Sequence, residues 1–137
     1  MPGGPGGALL DASALLAYLQ DEEGADVVAG SIAAGARICT VNLAEVLSSL
    51  AVHGVDPADA VRQMTDRGLL AGAIAIEPFT TADAAEAARL RPLTRGAGLS
   101  LADRSCLAVA LRLDVPALTA DRAWAEVDVG VETIVVR

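Results

Sequence analysis

Four acidic residues in this 137-residue chain carry the clearest chemical signal: Asp11, Glu45, Asp103 and Asp121. Asp11 closes the short apolar stretch Ala8–Asp11. Glu45 follows Asn42 at the start of an expected helix, Asp103 follows Ser100 at the start of the most apolar one, and Asp121 follows Thr119. Each has a structural explanation when taken alone. Asn42-x-x-Glu45 and Ser100-x-x-Asp103 both fit the spacing of a capping box. Asp11 and Asp121 fit plain N-caps, and acids in a first turn suit the helix dipole. Asp103 adds a clue of another kind. Its helical neighbours at i+3, i+4 and i+7 are Cys106, Leu107 and Ala110, so its carboxylate shares a face with apolar side chains. A carboxylate turned inward is costly unless something pairs it. With few arginines available, a bound cation is the natural partner.

Clustered carboxylates without His or Cys select hard divalent ions, Mg²⁺ or Mn²⁺. His53 is the only histidine and cannot build a zinc site. Cys39 and Cys106 have no metal-type spacing and read as buried, reduced thiols. Several carboxylates around Mg²⁺ suit in-line hydrolysis of a phosphodiester, which needs no nucleophilic side chain. A single His leaves no convincing Ser-His-Asp or Cys-His set. No GxxxxGK[ST] loop occurs, and no G-x-G-x-x-G follows a strand, so nucleotide folds of those kinds lack support.

The elements that must position these acids alternate. Strands are expected at Ala8–Asp11, Arg37–Val41, Ala73–Ile76, Pro116–Thr119 and Thr133–Val136. Helices are expected at Ala12–Gln20, Asp26–Ala34, Leu43–His53, from Asp56-Pro57-Ala58-Asp59 to about Gly68, at Thr81–Arg91, Ser100–Leu113 and Arg122–Val127, with a loop at Arg95–Leu99. This alternation predicts an α/β domain whose mainly parallel sheet is covered on both faces. In such a sheet the strand C-termini and the N-termini of the following helices share one edge, where ligands bind. Four acids from elements distant in sequence can therefore converge there.

Composition narrows the class. Hydrophobic residues make up 53% of the chain but aromatic ones only 2%, so the core is aliphatic. Disorder is excluded, as are modules that read bases on aromatic platforms. The net charge is −8 and all ten bases are Arg, which argues against grip on nucleic acid by bulk electrostatics. No apolar run reaches the ~18 residues of a membrane span. Residues 1–7 read as a flexible Gly/Pro tail and not as a signal peptide, leaving one domain over 8–137 in a cytoplasmic protein. Arg91, Arg95 and Arg104 lie near Asp103 in sequence and Arg122 adjoins Asp121. They read either as solvated or ion-paired surface or as phosphate contacts flanking the acids, with Arg95 the first choice for the second role. Trp124 reads as a packing anchor.

Leu10-Asp11-Ala12-Ser13-Ala14-Leu15-Leu16-Ala17, Asn42-Leu43-Ala44-Glu45-Val46, Gly98-Leu99-Ser100-Leu101-Ala102-Asp103-Arg104-Ser105-Cys106-Leu107-Ala108 and Leu118-Thr119-Ala120-Asp121-Arg122-Ala123-Trp124 resemble the PIN-domain ribonucleases. More narrowly, they are similar to VapC-type toxins of bacterial toxin–antitoxin pairs. The resemblance spans nearly the whole chain after the tail. It implies a three-layer α/β/α PIN-like domain with a short, mainly parallel central sheet. It implies Asp11, Glu45, Asp103 and Asp121 as a catalytic Mg²⁺ site, with Mn²⁺ as a substitute. It further implies cleavage of single-stranded regions of RNA, a homodimer and an inhibiting antitoxin. Ser13, Asn42 and Thr119 are candidates to support the site by hydrogen bonds, although Ser13 and Thr119 equally fit turn and cap roles. Arg95, Arg104 and Arg122 are candidates for RNA phosphate contact. Two other readings are a PIN-fold protein whose main role is partner binding and regulation, and a PIN nuclease of RNA processing outside toxin systems.

Overall fold

A computed structural model describes residues 7–137 of the chain. The expected tail therefore lies outside the described residues except for Gly7. That residue packs so closely that a Cβ on it would stand 1.5 Å from the Gly35 carbonyl oxygen. Only glycine fits that approach.

Five parallel strands form the centre: β1 (Leu9–Leu10), β2 (Ala36–Cys39), β3 (Ile74–Glu77), β4 (Ala117–Thr119) and β5 (Thr133–Val135), in the order β3-β2-β1-β4-β5. The two-residue strand β1 is central, with Leu9 and Leu10 opposite Arg37 and Ile38 on one side and Ala117 and Leu118 on the other. Both of its residues are fully buried. The chain builds outward from β1 to β2 and β3, then returns to lay β4 on β1's other edge. The crevice between the ends of β1 and β4 is thus the point where strand order reverses, the place where open α/β sheets bind ligands.

Side-chain alternation divides the core between the two faces of the sheet. Leu10, Ile38, Ile74 and Leu118 pack with α1 (Ala12–Leu19), α2 (Ala25–Ala33), α3 (Thr40–Val52) and α4 (Pro57–Asp66). Leu9, Cys39 and Ala117 pack with α5 (Thr81–Thr94), α6 (Leu101–Leu113) and Trp124. The result is the expected three-layer α/β/α arrangement. Trp124 is completely buried, as a packing anchor is.

Most helix boundaries follow the local signals. Asp56 accepts from the Asp59 N–H with Pro57 in the first turn of α4, and Ser100 and Asp103 form a reciprocal capping box at α6. One boundary differs in a way that matters. The expected strand Arg37–Val41 stops at Cys39, and α3 begins at Thr40 with Cys39 as its N-cap. Asn42 is therefore inside the first turn and is not the cap of a box with Glu45. The strand passes into the helix without a loop, so no turn residue marks the junction. Helix α5 continues through Pro92 to Thr94, whose hydroxyl donates to the Leu90 carbonyl in the last turn.

Asp83 ties the second face together. It closes a capping box with Thr80 and accepts from Arg112 Nε at 2.9 Å and Nη2 at 3.0 Å, joining α5 to α6. Burial alone would raise its carboxyl, but Arg112 and the Thr80 hydrogen bonds outweigh it and hold the group below its ordinary value. The contribution is therefore intact at neutral pH and fades as pH falls through the lowered pKa. Asp83→Ala leaves Arg112 without its carboxylate and uncaps α5. It should cost about 3 kcal/mol in a urea unfolding titration at pH 7. A loss below about 1 kcal/mol would mean that the pair does not brace the two helices.

Candidate active site

Asp11 sits at the reversal crevice, directly after β1 and as the N-cap of α1. Only 3% of the residue is exposed. Its Oδ1 accepts from the Ala14 N–H and the Ser13 hydroxyl, each at 2.8 Å, and its Oδ2 accepts from the Thr119 hydroxyl at 2.5 Å. Burial pushes its carboxyl up to about 6, against those three hydrogen bonds, and the charge of Asp103 pushes in the same direction as burial. No cationic side chain among the described residues pairs with it.

Thr119, the last residue of β4, fastens the far side of the crevice. Its oxygen accepts the Asp121 N–H at 3.0 Å while its proton goes to Asp11. Ser13 likewise donates to Asp11 and accepts the Ala120 N–H at 2.9 Å. With both protons spent on Asp11, the 3.2 Å approach of the two hydroxyl oxygens is a contact and not a third bond. The ends of β1 and β4 are thereby stitched together through one carboxylate. Asp121 stands exposed at the rim, capping the short 3₁₀ turn Arg122–Glu126 through its Oδ1.

The second pair of acids is set by Asn42. This side chain is fully buried. Its Oδ1 accepts from the Cys39 thiol, and its amide donates at 3.1 Å both to Glu45 Oε1 and to the Ala102 carbonyl. Asn42 thus clamps α3 to the first turn of α6 and holds Glu45 Oε1 beside that clamp. Burial raises the Glu45 carboxyl, its bond to Asn42 lowers it, and the Asp103 charge raises it again. Asp103 itself is partly exposed, with Oδ2 holding the Ser100 N–H at 2.9 Å. The Cys39 thiol, read in sequence only as a buried group, is part of this clamp. Its spacing of three from Asn42 was the available signal.

Asp103 therefore acts electrostatically on both Asp11 and Glu45, and Asp121 is joined to Asp11 through Thr119. The donor set is all carboxylate oxygen, which suits a hard divalent cation. No hydrogen bond among the described residues engages Glu45 Oε2, Asp103 Oδ1 or Asp121 Oδ2. Among the described residues no three His, Cys, Asp or Glu side chains stand together at ligating spacing. Closing on one ion would require these side chains to move. A depression of about 450 Å³ opens beside Ser13, Asp121 and Arg122.

The candidate arginines are not equivalent. Arg95 is exposed in the 3₁₀ turn Arg95–Ala97. Arg122 is exposed and donates from Nε to the Arg137 carbonyl. Arg104 departs from the solvated or ion-paired surface reading: it is 7% exposed, has no acidic partner among the described residues, and donates from Nη1 to the Ala87 carbonyl at 2.8 Å. As the residue after Asp103 it is turned about 100° around the axis of α6, which brings it to the side that packs on α5.

The PIN domain family model matches residues 8–130, and the chain belongs to that family. No curated protein matches the sequence significantly. Among solved structures it is similar to a DNA-bound VapBC from Salmonella typhimurium, with a TM-score of 0.70 at 12% identity over 96% of this chain and 99% of that one. It is also similar to a toxin–antitoxin complex from Klebsiella pneumoniae, with a TM-score of 0.65 at 19% identity over 91% and 98% of the two chains. VapBC2 from Rickettsia felis, bound to a DNA fragment from its promoter, gives a TM-score of 0.67 at 13% identity over 93% and 96%. At these identities the likeness is one of fold.

Proposed function

We propose that this chain is a Mg²⁺-dependent endoribonuclease that cuts single-stranded regions of RNA and acts as the toxin of a toxin–antitoxin pair. The observation that carries this reading is Asp11: a carboxylate 3% exposed, at the reversal point of the sheet, under the charge of Asp103 and paired with no cationic side chain among the described residues. A helix cap does not need that burial, and a protein that only binds partners has no use for it. Membership of the PIN family and likeness to solved toxin–antitoxin complexes support the same reading.

Asp11, Glu45, Asp103 and Asp121 would hold Mg²⁺, or Mn²⁺ in its place, which supplies an ionised water and positive charge opposite the scissile phosphate. The chain's own work is positioning. Ser13 and Thr119 orient the Asp11 carboxylate, and Asn42 fixes Glu45 against α6. Thr119 also holds the backbone of Asp121 at the rim. Arg95 and Arg122, on neighbouring turns, offer charge to the RNA backbone. The antitoxin would block the crevice with a cationic side chain, for which an arginine fork suits carboxylates best. The working form is a homodimer in the cytoplasm. Among the described residues no helix is long and apolar enough to cross a membrane.

Purified protein should cut RNA with Mg²⁺ or Mn²⁺ and stop in EDTA, with the cuts mapped by sequencing new 5′ ends. Full activity in EDTA, with metal absence verified by elemental analysis, would overturn the mechanism.

A further inference from the structure

We infer that Arg91, Arg95 and Arg104 build a phosphate subsite that holds the RNA strand beside the carboxylates. The inference rests on the nuclease reading above. These residues line a cavity of about 530 Å³ together with Leu99, Ser100 and Leu101. No acidic residue lines it. In a chain of net charge −8, five arginines pair with acids among the described residues: Arg37, Arg62, Arg89, Arg112 and Arg137. Three of the remaining five meet at this one cavity. Like charges do not gather without an anion unless the fold holds them there, and here it does.

Arg104 shows how. It is 7% exposed and fixed by its Nη1 bond to the Ala87 carbonyl. Its Nε is buried and finds no hydrogen-bond partner among the described residues. A buried donor left unpaired is costly, more so on a charged group. Helix α6 starts at the same wall, and the Leu101 and Ala102 N–H groups have no protein acceptor among the described residues. The Ser100 oxygen accepts the Asp103 N–H, which leaves its hydroxyl proton free to donate. Guanidinium forks, a hydroxyl and free helix-start amides together match the oxygens of a phosphate.

The placement suits a strand running past the carboxylates. Ser100 precedes Asp103 by three residues, about 4.5 Å along the helix axis. The 3₁₀ turn Arg95–Ala97 packs against the Arg122–Glu126 turn that follows Asp121. The subsite thus lies on the flank of the crevice where Asp103 and Asp121 stand.

The test uses an RNA oligonucleotide that the wild type cuts at one bond with Mg²⁺, and the variant Arg91→Gln/Arg95→Gln. Both replaced residues are exposed, so the melting temperature should match the wild type. The variant should raise KM about 10-fold and change kcat less than about 3-fold. One neutral methylphosphonate, scanned along the oligonucleotide, should reproduce that loss in the wild type at one position and cost the variant nothing more there. An unchanged KM, or the same methylphosphonate penalty in both proteins, would overturn the subsite. Inorganic phosphate provides a readout independent of cleavage. It should shift the Arg104 Nε–H resonance in the wild type and not in the variant; no shift would also overturn the site. A phosphate shift with unchanged KM would overturn the RNA assignment and leave an anion site for an acidic protein segment. Absence of any cleavage by the wild type, with the phosphate shift present, would instead overturn the nuclease reading.

Discussion

Asp11→Asn is expected to lower RNA cleavage by about 10³-fold or more while making the metal-free protein more stable above pH 7. The loss of cleavage follows from removing the most buried of the four carboxylates, since charge stabilisation of several kcal/mol in the transition state corresponds to factors of this size. The gain in stability follows from the carboxyl's pKa, raised from 3.8 to about 6 by burial. Between those values the folded chain keeps a proton that the unfolded chain has released. Wild-type stability therefore falls as pH rises through this window, and the full cost is present above it. A pKa rise of that size corresponds to roughly 3 kcal/mol. Asparagine is an equally good N-cap. It can still accept from the Ala14 N–H and Ser13, and Thr119 can turn to accept from its amide. The variant should lack the downward slope between pH 4 and 6, match the wild type near pH 4, and exceed it by about 1–3 kcal/mol at pH 7.5 in EDTA. Urea titrations across that range decide. Parallel stability curves for the two proteins would mean that Asp11 is ionised at little cost, as an ordinary cap would be.

The features that could be read in the sequence were those set by local chemistry. Ser100-x-x-Asp103 and Asp56-Pro57 mark their helices because each satisfies backbone donors within one turn. The alternation of apolar runs gave the parallel sheet because strands buried on both faces need helices above and below. What could not be read depends on contacts between distant segments. Asn42 fits a capping box by spacing, yet its amide reaches Ala102, sixty residues away. Ser13 and Thr119 fit turns and caps equally well, and only the return of β4 to the edge of β1 brings both hydroxyls to Asp11. Arg104 follows an acid at the start of a helix, which reads as a solvated charge. It is buried because α5 packs across that face of α6. Asp103 shows both kinds of information at once. It closes the capping box that its spacing predicts, and it also acts on Asp11 and Glu45, which no local pattern contains.

That double role makes Asp103→Asn the variant that separates a metal site from a set of helix caps. Asparagine keeps an oxygen for the Ser100 N–H, so the box survives. The lost charge weakens the interaction with the α6 dipole by about 0.3–1 kcal/mol. Against this, the substitution removes the repulsion that raises the carboxyls of Asp11 and Glu45. The two effects oppose each other, and in EDTA the variant should melt within about 1 kcal/mol of the wild type. In Mg²⁺ the proteins should diverge. An ion that binds only the folded chain adds about 2.7 kcal/mol at 100 times its Kd, on the order of 5–10 °C in Tm for a domain of this size. The variant, with one carboxylate fewer, should gain less than half of that, and its cleavage should fall by about 10²-fold or more. The capping account requires a different pattern: a loss of up to about 1 kcal/mol that is the same with and without Mg²⁺, and retained cleavage. Thermal melts of both proteins in EDTA and in Mg²⁺, beside RNA cleavage assays, separate the two. Equal Mg²⁺ stabilisation of wild type and variant, with cleavage intact, would reduce Asp103 to a helix cap and remove the centre of the proposed site.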